Sequence, residues 1–191
     1  MRLFVALELP DEVREALAEL ITELKPLCRS AKWARVEGMH VTLKFIGNAV
    51  ADGNTEKLAE VRAALATAKS DAPVDMRYRG TGFFPNARRP NVFWAGIQAS
   101  PNLAPLAADI EKALEPLGIP REARPFVPHL TLARFKSPGG VKRVVVEAEK
   151  FAEREFGSSR EAEFHLFESK LKSDGAEHTK LETYRFVRNP A

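Results

Sequence analysis

Apolar positions recur along this chain with two periods, and each switch between them marks an element. Arg2 to Leu9 reads as a strand, stopped by Pro10 and Asp11. From Asp11 the period lengthens, and Val13, Leu17, Leu20, Ile21 and Leu24 share one helical face. A short strand around Trp33 follows, then a strand from Met39 to Ile46 that Gly47 ends. Glu56 to Ala68 is rich in Ala and Leu and reads as a helix. Val74 to Phe84 and Asn91 to Gln98 read as strands around the turn-forming run Pro85-Asn86-Ala87-Arg88-Arg89-Pro90. Ser100-Pro101 offers a capping residue and a proline for the first helical position, and Leu103, Leu106, Ile110, Leu114 and Leu117 make the next apolar face. Pro125 and Pro128 hold the chain extended ahead of a strand at His129. Ser137-Pro138-Gly139-Gly140 breaks the chain, and Val141 to Glu155 is expected to be helical. Glu161 to Leu171 and Lys180 to Val187 are the last expected strands.

The order strand, helix, strand, helix, strand therefore occurs twice. It predicts an α+β fold of two pseudo-two-fold lobes, each a mainly antiparallel sheet with helices on its outer face, around a central cleft. No linker is long enough to separate independent units. Residues 1–191 are expected to form a single domain of two intimately packed lobes.

One short pattern repeats with the elements. His40-Val41-Thr42-Leu43 and His129-Leu130-Thr131-Leu132 lie 89 positions apart (129 minus 40). At the same offset Phe4 meets Phe93, Ala6 meets Ala95, Leu17 meets Leu106, Ile21 meets Ile110, and the cap-type residues Asp11 and Ser100 meet. A lone His-x-Thr is weak. Two copies, using two of the chain's four histidines, are specific. A duplicated strand kept only for packing would favour Val or Ile at those positions.

Composition narrows the chemistry. The chain has 191 residues, enough to bury a good core, and a formal net charge of +3. That permits an anionic ligand without indicating a broad nucleic-acid-coating surface. The single cysteine, Cys28, excludes an internal disulfide and a Cys-based metal site, and it reads as a small apolar residue. No secretory pattern opens the chain and no apolar run reaches membrane-spanning length, so no membrane partner and a cytoplasmic location are expected.

Side chains alternate along a strand, so His40 and Thr42 share one face, as do His129 and Thr131. If the lobes face each other, two imidazoles and two hydroxyls surround one small anion. Two imidazoles can serve as general acid and general base near neutral pH, and hydroxyls can donate to phosphate oxygens. There is no G-x-S-x-G turn, no P-loop and no dinucleotide glycine fingerprint; Gly80-Thr81-Gly82 reads as a strand end. Acid–base displacement at a phosphodiester fits best, and no motif calls for a cofactor. The residues alone do not say which histidine plays which part.

These motifs resemble those of the 2H phosphoesterases, named for two such histidine motifs. Arg2-Leu3-Phe4-Val5-Ala6, His40 to Gly47, Gly82-Phe83-Phe84-Pro85, Trp94 and Pro128 to Arg134 together resemble the RNA 2′,3′-cyclic phosphodiesterase family, also known as 2′–5′ RNA ligase. The resemblance spans nearly the whole chain. It implies a bilobal fold and metal-independent hydrolysis of a 2′,3′-cyclic phosphate to a 2′-phosphate. It makes His40 the proton donor, His129 the acceptor, and Thr42 and Thr131 the phosphate holders. It also implies RNA ends or small cyclic nucleotides as substrate. No obligate protein partner is inferred, and a monomer is expected.

Arg134 falls at the position the family associates with nucleotide contact. Five residues beyond His129, it points away on an ideal strand, so only a bulge or the strand end would turn it to the substrate. Its counterpart at the repeat offset is Phe45, and a cation facing a ring suits a nucleotide with its base to one side. Lys44 shares the parity of His40 and could approach the phosphate. Arg88 and Arg89 read as a solvated turn, Trp33 and Trp94 could stack on a base although Trp94 reads as core, and His165 and His178 read as structural or exposed. Three rivals stand beside the phosphodiesterase: ligation by the same site run backwards, a non-catalytic nucleotide-binding or RNA-end-binding module, and a metal-dependent hydrolase using both histidines as ligands.

Overall fold

The computed structural model describes residues 1–136, 139–172 and 175–187. Among them lie nine strands and four α-helices: β1 Leu3–Leu7, α1 Asp11–Leu24, β2 Lys32–Trp33, β3 Val41–Gly47, α2 Thr55–Leu65, β4 Val74–Phe84, β5 Val92–Ala99, α3 Leu103–Leu114, β6 His129–Arg134, α4 Val141–Ala148, β7 Glu155–Glu161, β8 Glu163–Lys172 and β9 Gly175–Arg185. The buried face of α1 is Val13, Leu17, Leu20, Ile21 and Leu24, the stripe its period predicts. No helix is long and apolar enough to cross a membrane.

Some boundaries differ from the pattern. The residue capping α3 is Asn102, and Ser100-Pro101 lies before it. Ser100 instead serves the strand end, accepting from Asp75 N at 3.0 Å. The helix expected from Val141 to Glu155 stops at Ala148, continues as one 3₁₀ turn to Phe151, and gives way to β7. Glu155 to Glu161 alternates too weakly for a strand to be read from it, because only Phe156 in it is a large apolar residue. The break expected at Ser137-Pro138 lies outside the described residues. Gly140, at φ +81°, takes the turn into α4, where a Cβ would meet Leu27 O at 2.4 Å. Gly80-Thr81-Gly82 is not a strand end. It sits inside β4 at a register shift, where Gly80 has φ +72°.

The strands form two antiparallel sheets, in order β3-β1-β8-β9 and β2-β6-β5-β4-β7. The closing strand of each sequence half is thus exchanged: β4 joins the sheet of the second motif, and β8 joins that of the first. The helices exchange as well. α1 packs on β7 and α3 on β3. One apolar cluster runs through both sheets, from Leu3, Val5 and Leu7 to Phe93, Leu130 and Phe164.

The 89-residue offset holds for the motif strands and fails on the opening strands. Ala6 lies opposite Thr42, but Trp94, not Ala95, lies opposite Thr131. The structural offset there is 88 (94 minus 6), so the Phe4/Phe93 and Ala6/Ala95 identities are coincidental. Phe4 belongs to a small cluster with Ala6 and Phe167, whereas Phe93 is in the main core.

Candidate active site

His40 stands one residue ahead of β3, and His129 opens β6. Each ring is tied by the same short bond. His40 Nδ1 donates to Gly38 O at 2.8 Å, and His129 Nδ1 donates to Val127 O at 2.9 Å. A carbonyl can only accept, so each Nδ1 carries a proton and Nε2 is the nitrogen left for chemistry. The repeat therefore reproduces the motif and also the tautomer. Thr42 and Thr131 are half-buried, while Val41, Leu43, Leu130 and Leu132 are buried on the opposite face.

Both motif strands carry a bulge at the same place. Val5 faces Lys44 and Ala6 faces Thr42, which leaves Leu43 over; Phe93 faces Ala133 and Trp94 faces Thr131, which leaves Leu132 over. The extra residue reverses the parity beyond it. Phe45, 55% exposed, and Arg134, exposed, then return to the face of the threonines. The redirection Arg134 required is present. The same bulge overturns the expectation for Lys44. That side chain is 2% exposed and turned to the core, where its Nζ donates to Glu111 Oε1 at 3.0 Å and Pro120 O at 2.6 Å. Its charge is neutralised away from the motif face.

The rings around the two histidines are similar in layout and unlike in chemistry. His40 stacks on Phe4 at 4.3 Å, and Phe4 stacks on Phe167 at 5.2 Å. His178 meets His40 edge-on at 5.2 Å, and Phe84 meets His129 edge-on at 5.0 Å. His40 is held well below the ordinary imidazole range, at about 4, first by burial and then by the nearby His178 and by Arg14. Arg14, on α1, clamps the segment before His40: its Nη1 donates to Val36 O at 2.7 Å, Met39 O at 3.1 Å and Glu37 O at 3.3 Å. The second motif has Pro125 and Pro128 ahead of it instead.

Trp94 is not a core residue. It lies on the motif face beside Thr131, flat over Gly82, where a Cβ would come within 2.2 Å of its ring, and against Phe84 at 5.3 Å. Trp33 donates from Nε1 to Cys28 O at 2.9 Å and packs edge-on to Phe93. Arg88 and Arg89 are exposed on a turn whose backbone N–H groups donate to Asn86 Oδ1. His165 is buried and paired with Thr183 Oγ1 at 2.9 Å. Among the described residues no three His, Cys, Asp or Glu side chains gather as a metal site. A depression of about 500 Å³ lined by Asp75, Arg77, Gln98, Ser158 and Arg160 holds none of the motif residues.

A family model described as the 2′-5′ RNA ligase superfamily matches residues 4–166. The chain belongs to that superfamily. Within it, a Thermus thermophilus protein named RNA 2′,3′-cyclic phosphodiesterase is 37% identical over 190 residues, covering 96% of this chain and 89% of the relative. A Methanocaldococcus jannaschii protein of the same name is 31% identical over 175 residues, covering 92% and 95%. The solved structure of TT0787 from Thermus thermophilus aligns with a TM-score of 0.78 at 34% identity, over 97% of this chain and 98% of that one. Escherichia coli LigT shares the fold, with a TM-score of 0.73 at 24% identity over 98% of each chain.

Sequence reasoning passed over three features that support the superfamily's paired motifs here. The Arg14 clamp left no signal, because a lone arginine on a helix reads as a solvated face. Phe167 and His178 reach the first motif through β8 and β9, strands distant in sequence. The sign of a partner was Gly38, two residues before His40, where Val127 stands in the second copy.

Proposed function

We propose that the protein is an RNA 2′,3′-cyclic phosphodiesterase, and that residues 1–191 act as a single domain. The observation that carries this reading is the matched pair of Nδ1-tethered imidazoles, each with a threonine two residues on. Its relatives' names point the same way. In this reaction water attacks the phosphorus of the cyclic phosphate and the bond from phosphorus to O3′ breaks. His129 takes the proton of the attacking water, and His40 gives its proton to the departing O3′. Thr42 and Thr131 donate to the non-bridging oxygens, offsetting charge as it grows. Arg134 and Phe45 hold the nucleotide from either side. The product is a 2′-phosphate with a free 3′-hydroxyl.

His40 is neutral in the free protein, so its proton must arrive with the substrate's charge. An anion beside an imidazole favours the charged ring. The proton it then carries is weakly held and readily given to the leaving oxygen. Ligation is the same path reversed, with the two histidines exchanging tasks, and water at about 55 M opposes it at ordinary RNA concentrations. The substrate class is RNA ends or small cyclic nucleotides, taken by the protein as a monomer.

The test is turnover of an oligonucleotide bearing a 2′,3′-cyclic phosphate, in excess chelator, by the wild type, His40→Ala and His129→Ala. The wild type should be active, and each variant should lose roughly 10²–10⁴-fold, the scale of a missing general acid or base. A folded variant retaining full activity would remove that histidine from the reaction.

A further inference from the structure

The two motifs are equivalent in backbone, tautomer and bulge, yet the reaction proposed above needs their imidazoles to act oppositely. Something outside the repeat must tell them apart. The ring edges that meet them differ. Phe84 lies 5.0 Å from His129 at an interplanar angle of 87°, and His178 lies 5.2 Å from His40 at 88°. One support is a phenyl ring, and the other is an imidazole that can carry charge.

The placing of His178 is specific. A Cβ on Gly38 would stand 3.3 Å from His178 Cδ2 and 3.6 Å from Nε2, so the absent side chain makes room for this ring. The matching position in the second copy, Val127, carries a side chain. Phe4 receives the same imidazole edge-on at 5.0 Å, which fixes it from a second side. His178 Nδ1 is buried and has no hydrogen-bond partner among the described residues. Leaving such an atom unpaired costs free energy that an apolar ring would not incur.

Resting on the phosphodiesterase reading, we propose that His178 is a positioning residue that sets His40 electrically apart from His129, so that a duplicated pair can divide into donor and acceptor. The charged groups around the pair are Arg2 ahead of β1, Arg14 on α1 and Glu37 beside Gly38, with Glu8, Lys180 and His165 further along the same sheet. Burial and then Arg2 push His178 down as well, so near neutral pH it is a neutral polar ring, and as pH falls a proton on either imidazole opposes one on the other. His40 then holds a proton only when an anion lies against it.

His178→Phe copies the support that Phe84 gives His129: it keeps a ring edge and deletes the polar atoms. His178→Ala deletes both. The His40 Cε1–H resonance is titrated in each protein, and kcat and KM are measured across pH, with thermal melts to confirm folding. In both variants the His40 midpoint should rise by about half a pH unit or more. The matching limb of the rate profile should move with it, and kcat should fall by roughly tenfold while KM changes little. His178→Phe behaving as wild type while His178→Ala does not would overturn the proposal, reducing His178 to packing. Unmoved midpoints in both variants would also overturn it. The titration needs no substrate, so a wild type without turnover would count against the phosphodiesterase reading while the midpoints still judged His178.

Discussion

An imidazole tied through Nδ1 to its own backbone has one nitrogen left for chemistry, and both motif histidines are so tied. What differs is the company each ring keeps: Phe4, Phe167 and His178 around His40, and Phe84 against His129. His40 is moved from 6.5 to about 4. The unfolded chain binds a proton there as pH falls below the ordinary imidazole value, and the folded chain refuses it. Stability from this residue is therefore unaffected above pH 6.5 and is withdrawn between 6.5 and about 4. The loss amounts to roughly 3 kcal/mol. Denaturant melts from pH 7 to 4 should show a smaller decline in His40→Gln than in the wild type. Equal slopes would mean that His40 is not held neutral. The His-x-Thr residues were legible in sequence because the motif occurs twice. The state of His40 was not, since Phe4, Phe167, His178 and Arg14 surround it from β1, β8, β9 and α1.

At the scale of the element, a bulge decides what the motif strands present. Strict alternation puts Lys44 beside Thr42 and turns Arg134 away. One extra residue in each strand reverses both, burying Lys44 against Glu111 and bringing Phe45 and Arg134 to the threonine face. Two aligned bulges suit a strand that must show a polar end to the substrate and an apolar row to the helices. Alternation alone could not locate them, because Leu43-Lys44 and Leu132-Ala133 contain no glycine or proline. A guanidinium can stack on a base or reach a phosphate oxygen. Arg134→Ala should therefore raise KM several-fold with a smaller change in kcat, and Arg134→Lys should rescue poorly, lacking the planar group. Kinetics with different terminal bases check this. An unchanged KM and base preference would assign the nucleotide to other residues.

Across the whole molecule, duplication is written in sequence but woven in space. The hydrophobic periods gave α1, β4 and the motif strands closely. They could not reveal that β4 and β8 change sheets, because a strand's pattern says which face is buried and not which neighbour it takes. With strands and helices exchanged, neither half can bury its own sheet. Unfolding should be one cooperative transition, coincident by far-ultraviolet circular dichroism and tryptophan fluorescence, and residues 1–90 and 91–191 expressed separately should not fold. Two resolved transitions would mean that the halves are independent. The interweaving also fixes how the two motifs sit relative to each other, which the proposed reaction requires. The most direct measurement is ³¹P NMR of an oligonucleotide 2′,3′-cyclic phosphate incubated with the protein in excess chelator. Conversion to a 2′-phosphate bearing a free 3′-hydroxyl is the predicted result; a 3′-phosphate product, or an unchanged cyclic phosphate, would contradict it.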